Sequence, residues 1–197
     1  MTSDSSKPSI PYDFEQLLAR LASGLSDAQI PYMVIGGQAV VRYGVPRLTE
    51  DVDLTLGIAP YESARLLRLL TDLGLSPLVR NPEHFISTTN VLPCVEADSP
   101  MRVDFSMTDS PYELQAIERG DDVILHDTPV RFVCVEDLLI HKMIATRPRD
   151  LDDALAVILR NPDFDRAYTR DWLARFAQAL NQPLVENFDK LLREAET

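Results

Sequence analysis

The residues best able to do chemistry fall in two clusters. The first runs from Gly36-Gly37 to Asp51 and Asp53. Asp51 and Asp53 lie in a segment, 51–58, where Val52, Leu54 and Leu56 alternate with polar residues, the pattern of a half-buried strand. Residues i and i+2 of a strand share a face. Two carboxylates held that close repel, and solvent, a cation or a raised pKa relieves the repulsion. Asp104 has a matching setting, because Met101, Val103 and Phe105 alternate with Arg102, Asp104 and Ser106. If the two strands are neighbours, three carboxylates meet at one end of a sheet. Such an all-oxygen set suits Mg²⁺ or Mn²⁺ and not zinc. Two such ions can polarise a phosphoryl group and activate a hydroxyl nucleophile. The plainer reading of each aspartate is a solvent-facing strand residue.

Gly36-Gly37 follows an apolar, β-branched run over 30–35 and precedes a short helix over 38–43 that Gly44 closes. Glycine lets backbone N–H groups approach a phosphate, and the helix N-terminus behind it adds favourable charge. A tight strand-to-helix turn is the alternative. The pair is neither a Rossmann fingerprint nor a Walker P-loop, since no Gly-Lys-Ser/Thr follows. Arg47 can contact a phosphate or pair with Glu50 or Asp51. Thr49 can orient the loop through a local hydrogen bond.

The second cluster is 138–153. Leu138, Leu139, Met143 and Ile144 make an apolar face, and Lys142 beside it can snorkel toward a site. Asp150 and Asp153 read equally as first-turn acids of the next helix and as functional groups. His141 reads as a surface or packing residue. His84 and His126 lie in loops with no partner visible, and no Ser/His/Asp or Cys/His arrangement supports nucleophilic catalysis.

The elements that must position these residues follow from periodicity. An amphipathic helix over 12–27 (Phe14, Leu17, Leu18, Leu21, Leu25) has Asp13 as its N-cap. A helix over 60–73 ends at Gly74, and 75–100, with four prolines, reads as a variable loop region with one or two short strands. A strand over 101–107, a helix over 111–119 and a hairpin over 123–135 follow. Helices over 136–146, 150–160, 169–180 and 183–195 complete the chain. The spacing predicts an α/β (α+β) fold: a tail over 1–10, an α/β core over 11–135 and a helical part over 136–197 packed on that core.

The 197 residues suffice for one domain with a substantial core and a helical appendage. A net charge of −12 argues against binding long nucleic acid by charge alone. It fits a small-nucleotide site that recruits a divalent cation, or a surface that meets a basic partner. Cys94 and Cys134 lie far apart among apolar neighbours and read as buried thiols rather than zinc ligands. The N-terminus lacks the apolar stretch of a signal peptide, and no apolar run approaches the roughly 18 residues of a membrane span, so a cytoplasmic location is expected.

Taken in order, these pieces resemble a known signature. Ile35-Gly36-Gly37-Gln38-Ala39, then Gly44, Arg47, Thr49 and Asp51-Val52-Asp53-Leu54, is similar to the first two motifs of the nucleotidyltransferase superfamily with the DNA polymerase β-like fold. Val103-Asp104-Phe105 stands where that family has its third carboxylate. His141-Lys142-Met143, Ala145, Arg147 and Arg149-Asp150-Leu151 with Asp153 resembles the late helical motif of the abortive-infection branch, which includes toxins of toxin–antitoxin systems. The resemblance implies a small mixed β-sheet with the site at one edge. It implies Mg²⁺ or Mn²⁺ held by Asp51, Asp53 and Asp104, with Asp104 assisting an attacking hydroxyl. A nucleoside triphosphate (NTP) would be cradled by Gly36 and Gly37, with Arg47 and Thr49 nearby, and contacted by Lys142, with Asp150 supporting the late motif. The implied reaction moves a nucleoside monophosphate from an NTP to an acceptor hydroxyl on a tRNA end, a protein or a small molecule. A cognate antitoxin is the implied protein partner. In the common first motif a serine follows the glycine. Here Gly37 takes that place, which removes a hydroxyl contact to phosphate. The alternative is a retired nucleotidyltransferase scaffold acting as a binding or regulatory partner.

Overall fold

A computed structural model describes residues 13–46, 49, 51–97, 99 and 101–196. The tail expected over 1–10 and Arg47 lie outside them.

The sheet grows from the alternating segments. In chain order its strands are β1 (Tyr32–Ile35), β2 (Asp51–Leu56), β3 (Leu75–Pro77), β4 (Val91–Glu96), β5 (Arg102–Met107), β6 (Asp121–Leu125) and β7 (Thr128–Phe132). Among the described residues they form one mixed sheet of order β3-β4-β5-β2-β1-β7-β6. The strand pair bearing the three acids is therefore central. This corrects the expectation of a site at a sheet edge: the acids stand at the ends of interior strands. β2 runs antiparallel to β1 and parallel to β5. In that register Asp53 lies opposite both Ile35 and Asp104, and Asp51 lies opposite Arg102. The site thus forms where β1 ends and where β2 and β5 begin.

The first helices take their predicted places. Helix α1 (Phe14–Asp27) starts at Asp13, whose carboxylate accepts the Glu15 and Gln16 N–H groups at 3.0 and 3.1 Å. It packs on β6 and β7. Helix α2 (Gly36–Tyr43) begins directly at the glycines, two residues earlier than expected. The stretch 60–73 is not one helix: a 3-10 turn, Pro60–Glu62, precedes the short α3 (Ala64–Leu69). The proline-rich segment holds a full helix, α4 (Pro82–Thr89), that the sequence reading lacks. Pro82 stands at its first position, where its missing N–H costs nothing, and the Asn81 side chain accepts the His84 N–H at 3.1 Å. The prolines were thus a start signal as well as a breaker. The hairpin turn is tighter than expected. His126 and Asp127 both take positive φ, the two-residue turn whose twist matches paired strands.

After α5 (Pro111–Arg119) and the β6–β7 hairpin come α6 (Val135–Ala145), α7 (Pro148–Arg160), α8 (Arg166–Leu180) and α9 (Leu184–Ala195). One buried cluster runs from Leu17 in α1 through the strands to Leu191 in α9. α6 sits between the sheet and the later helices: Leu138, Leu139, Ile140 and Met143 are buried, and α2, α7, α8 and α9 all pack on it. Its buried Asp137 accepts from Tyr112 and Tyr168 hydroxyls (3.1 and 2.9 Å), Arg119 Nε (3.1 Å) and Cys134 Sγ (3.0 Å). A buried carboxylate this well supplied with donors ties α5, α6 and α8 together.

Candidate active site

The glycine turn exists to let Asp53 in. Gly36 has φ +64, a left-handed conformation that suits glycine, and a Cβ there would overlap the Asp53 carboxylate. The Gly37 N–H donates to that carboxylate. Asp53 is thus held against the N-terminus of α2, where positive charge is concentrated. Burial first, then the charges of Asp104 and Asp51, still raise its pKa above the ordinary carboxylate value. Three acids on one face of two paired strands offer an all-oxygen donor set of the kind a divalent cation takes.

The late motif arrives from α6 and α7. Thr146, in the left-handed region, ends α6, and α7 turns straight back. This brings Asp150 and Asp153 onto Lys142, whose ammonium donates to them at 2.9 and 2.8 Å. Arg147 Nε donates to the other Asp150 oxygen at 2.6 Å. Burial works against the Asp150 charge, but bonds from Lys142 and Arg147 outweigh it and hold the carboxyl below its usual range. Asp150 is in the first turn of α7 and lines the cavity between these elements.

These elements enclose a cavity of about 570 Å³ lined by Gly36, Gly37, Thr49, Asp51, Asp53, Lys142, Arg147, Arg149, Asp150 and Asp153. The Thr49 hydroxyl donates to the Asp51 carbonyl at 3.2 Å, the loop-orienting bond its position suggested. Asp104 is the exception. Although it pairs with Asp53 in register, it does not line this cavity. Its carboxylate faces Arg102, whose Nη2 is 3.4 Å from both oxygens. Among the described residues no three His, Cys, Asp or Glu side chains already stand as a ready-made metal cluster.

Sequence reasoning weighed a functional role for Asp153 but none for Arg149 or Arg102, and named Arg147 only as part of the late motif. Asp153, Arg147 and Arg149 were visible within the late motif, and the eleven-residue spacing from Lys142 to Asp153 is what one helix-turn-helix return produces. Arg102 was visible only as a polar strand residue. Its place two before Asp104 and opposite Asp51 was the available signal. A second cavity, about 580 Å³, lies between Arg119, Glu136, Arg160 and Asp163. Its two arginines are already engaged, Arg119 by Asp137 and Glu136 and Arg160 by the Gly44 carbonyl, so they offer a ligand little. The cysteines are buried and free, and burial pushes the Cys94 thiol up to about 12, which makes it a poor nucleophile.

A mixed sheet with an Asp-x-Asp strand beside a glycine-opened helix is the arrangement that the nucleotidyltransferase resemblance implied. The family comparison is in accord: residues 16–197 match the model described as nucleotidyl transferase AbiEii toxin, type IV toxin–antitoxin system, and the chain belongs to that family. Solved structures share the fold at low identity. The antibiotic-resistance factor ANT(2'')-Ia in solution is 14% identical with a TM-score of 0.58, over 85% of this chain and 92% of that one. An antigenic nucleotidyltransferase-like protein from Paracoccidioides brasiliensis is 17% identical with a TM-score of 0.54, over 84% and 87%. The lincosamide antibiotic adenylyltransferase LnuA is 15% identical with a TM-score of 0.50, over 73% and 95%. No curated protein matches the chain in sequence. Among the described residues no helix is long and apolar enough to cross a membrane.

Proposed function

We propose that this nucleotidyltransferase moves a nucleoside monophosphate from an NTP to an acceptor hydroxyl in a divalent-metal-dependent reaction. The observation that carries the reading is the Asp53 setting: a glycine turn with no room for a side chain seats its carboxylate in the wall of a cavity of about 570 Å³, on a strand face shared with Asp51 and, in register on the next strand, Asp104. Asp51, Asp53 and Asp104 would hold Mg²⁺ or Mn²⁺. The ion supplies Lewis-acid polarisation of the phosphoryl group when bound.

The chain's own residues do the rest. Arg149 lines the cavity together with Lys142 and Arg147, which Asp150 and Asp153 hold in place, and these cations would meet a triphosphate there. The α2 N-terminus and the glycine turn offer backbone room for phosphate oxygens. Asp150 and Asp153 fix the Lys142 ammonium, so it is pre-positioned when substrate arrives. In the reaction the acceptor oxygen forms a bond to the α-phosphorus, the bond to the bridging oxygen of pyrophosphate breaks, and pyrophosphate leaves. The acceptor's proton passes to a carboxylate oxygen of Asp104. The cavity is polar and of nucleotide size, and does not by itself choose between a tRNA end, a protein or a small molecule as acceptor. Family membership supports a toxin's place in a toxin–antitoxin pair, with a cognate antitoxin as partner, acting in the cytoplasm where NTPs are plentiful.

The test is nucleotide transfer from each α-labelled NTP in the presence of Mg²⁺, comparing the native chain with the Asp51→Asn, Asp53→Asn double variant. The expected loss is about 10²–10³-fold, the scale for removing an electrostatic stabiliser of the transition state. Undiminished transfer by the double variant would refute the mechanism.

A further inference from the structure

Arg102 occupies the ground between the acids that the proposed metal would bridge. It opens β5 directly opposite Asp51, and its side chain lies on the same strand face as that of Asp104, two residues on. Its Nε is 3.9 Å from Asp51 Oδ1, and its Nη2 is 3.4 Å from both oxygens of Asp104. One guanidinium therefore spans two of the three carboxylates, one on each strand. Asp104 stands off the cavity wall while Asp53, its register partner, lines it.

We infer that Arg102 is a built-in counter-ion, which a divalent cation must displace from Asp51 and Asp104 before the site is assembled. The inference rests on the metal-dependent reading above and adds how metal entry is controlled. A planar monovalent fork and a compact dication compete for the same oxygens. The fork is weakly held: its contacts are long, and Arg102 and Asp51 are each close to half exposed, at 48% and 46%. Arg102 thus lowers the mutual repulsion of the acids in the metal-free protein without locking the site. It also makes metal binding less favourable until something else takes the guanidinium, and an anionic triphosphate arriving with its metal offers that exchange. Free metal alone should then bind poorly, and metal with nucleotide well.

The experiment is a calorimetric Mn²⁺ titration, without nucleotide, of the native chain and of Arg102→Gln, Arg102→Lys and Asp53→Asn variants, each checked for native circular dichroism. Removing one positive charge a few ångströms from the ion should tighten Mn²⁺ binding about tenfold in Arg102→Gln. Arg102→Lys keeps the charge without the fork and should fall between. On Mg²⁺ addition the Nε–Hε resonance of Arg102 in the native chain should shift as the guanidinium is released. If the native chain binds Mn²⁺, Asp53→Asn abolishes binding and Arg102→Gln binds no tighter, the counter-ion role is overturned and the metal reading stands. If Arg102→Gln binds no Mn²⁺ either, the counter-ion role is overturned, while the metal reading stands or falls on the same titration repeated with ATP, CTP, GTP or UTP present.

Discussion

Asp53 illustrates how a functional residue works against the stability of its own fold. Its folded pKa is raised, by burial and by its acidic neighbours, so the folded state binds this proton more tightly than the unfolded chain. Stability from this group is then present below the unfolded pKa and is lost as pH rises toward the raised folded value. As pH rises through the folded pKa this penalty comes into force, so Asp53→Asn should be more stable than the native chain at pH 7, read as a higher Tm. The gain should vanish in acid, where Asp53 is protonated in both states. Urea unfolding of the two chains across pH 4 to 8 reads this directly, and a destabilised variant at pH 7 would contradict the assignment. At this scale much was legible. Asp51, Asp53 and Asp104 stand on paired strands as the alternation implied, because period-two patterning fixes which face a residue takes. What the sequence could not give was how the side chains divide among partners. Asp104 turning to Arg102, and the Gly37 N–H turning to Asp53, are tertiary outcomes with no local pattern.

The α6–α7 pair is the element-level counterpart. Lys142 is 8% exposed and its two carboxylate partners 4% and 6%, so three charges share a nearly dry interface at the cavity wall. Removing the cation from such an arrangement leaves like charges buried together. Lys142→Met should cost about 3–5 kcal/mol, the scale for breaking a buried ion pair from one side. The triple variant Lys142→Met, Asp150→Asn, Asp153→Asn should recover much of that loss in denaturant unfolding while remaining inactive in transfer. A Lys142→Met chain as stable as the native one would mean that the pair is not formed in solution. The sequence announced this helix pair through Arg147-Pro148, since a helix ends before a proline and one can begin at it. It concealed α4 by the same token. Pro82 was read as loop punctuation, although Asn81 before it supplied the cap that makes such a proline a helix start. The interrupted α3 was hidden for a different reason, since its leucines keep helical spacing across a break that only packing imposes.

For the whole molecule, the central position of the acid-bearing strands matters most. β5 and β2 have neighbours on both sides, so the backbone beneath the carboxylates is fixed by ladder hydrogen bonds while the side chains project at the strand ends. α2, α6 and α7 then close the site from above, and α6 is itself held by the Asp137 network to α5 and α8. The last two helices, which carry no recognisable chemistry in sequence, are thus part of the support for Lys142. With a net charge of −12, the protein gains no general attraction for a polyanion, so under the proposed function a triphosphate would rely on the local arginines and lysine together with a bound cation. Calorimetry tests that central claim most directly: ATP, CTP, GTP and UTP are titrated in turn into the native chain and into Asp53→Asn, with Mg²⁺ and with chelator. The account predicts that at least one NTP binds the native chain only when Mg²⁺ is present, and that Asp53→Asn abolishes this binding. No Mg²⁺-dependent binding of any of the four would contradict it.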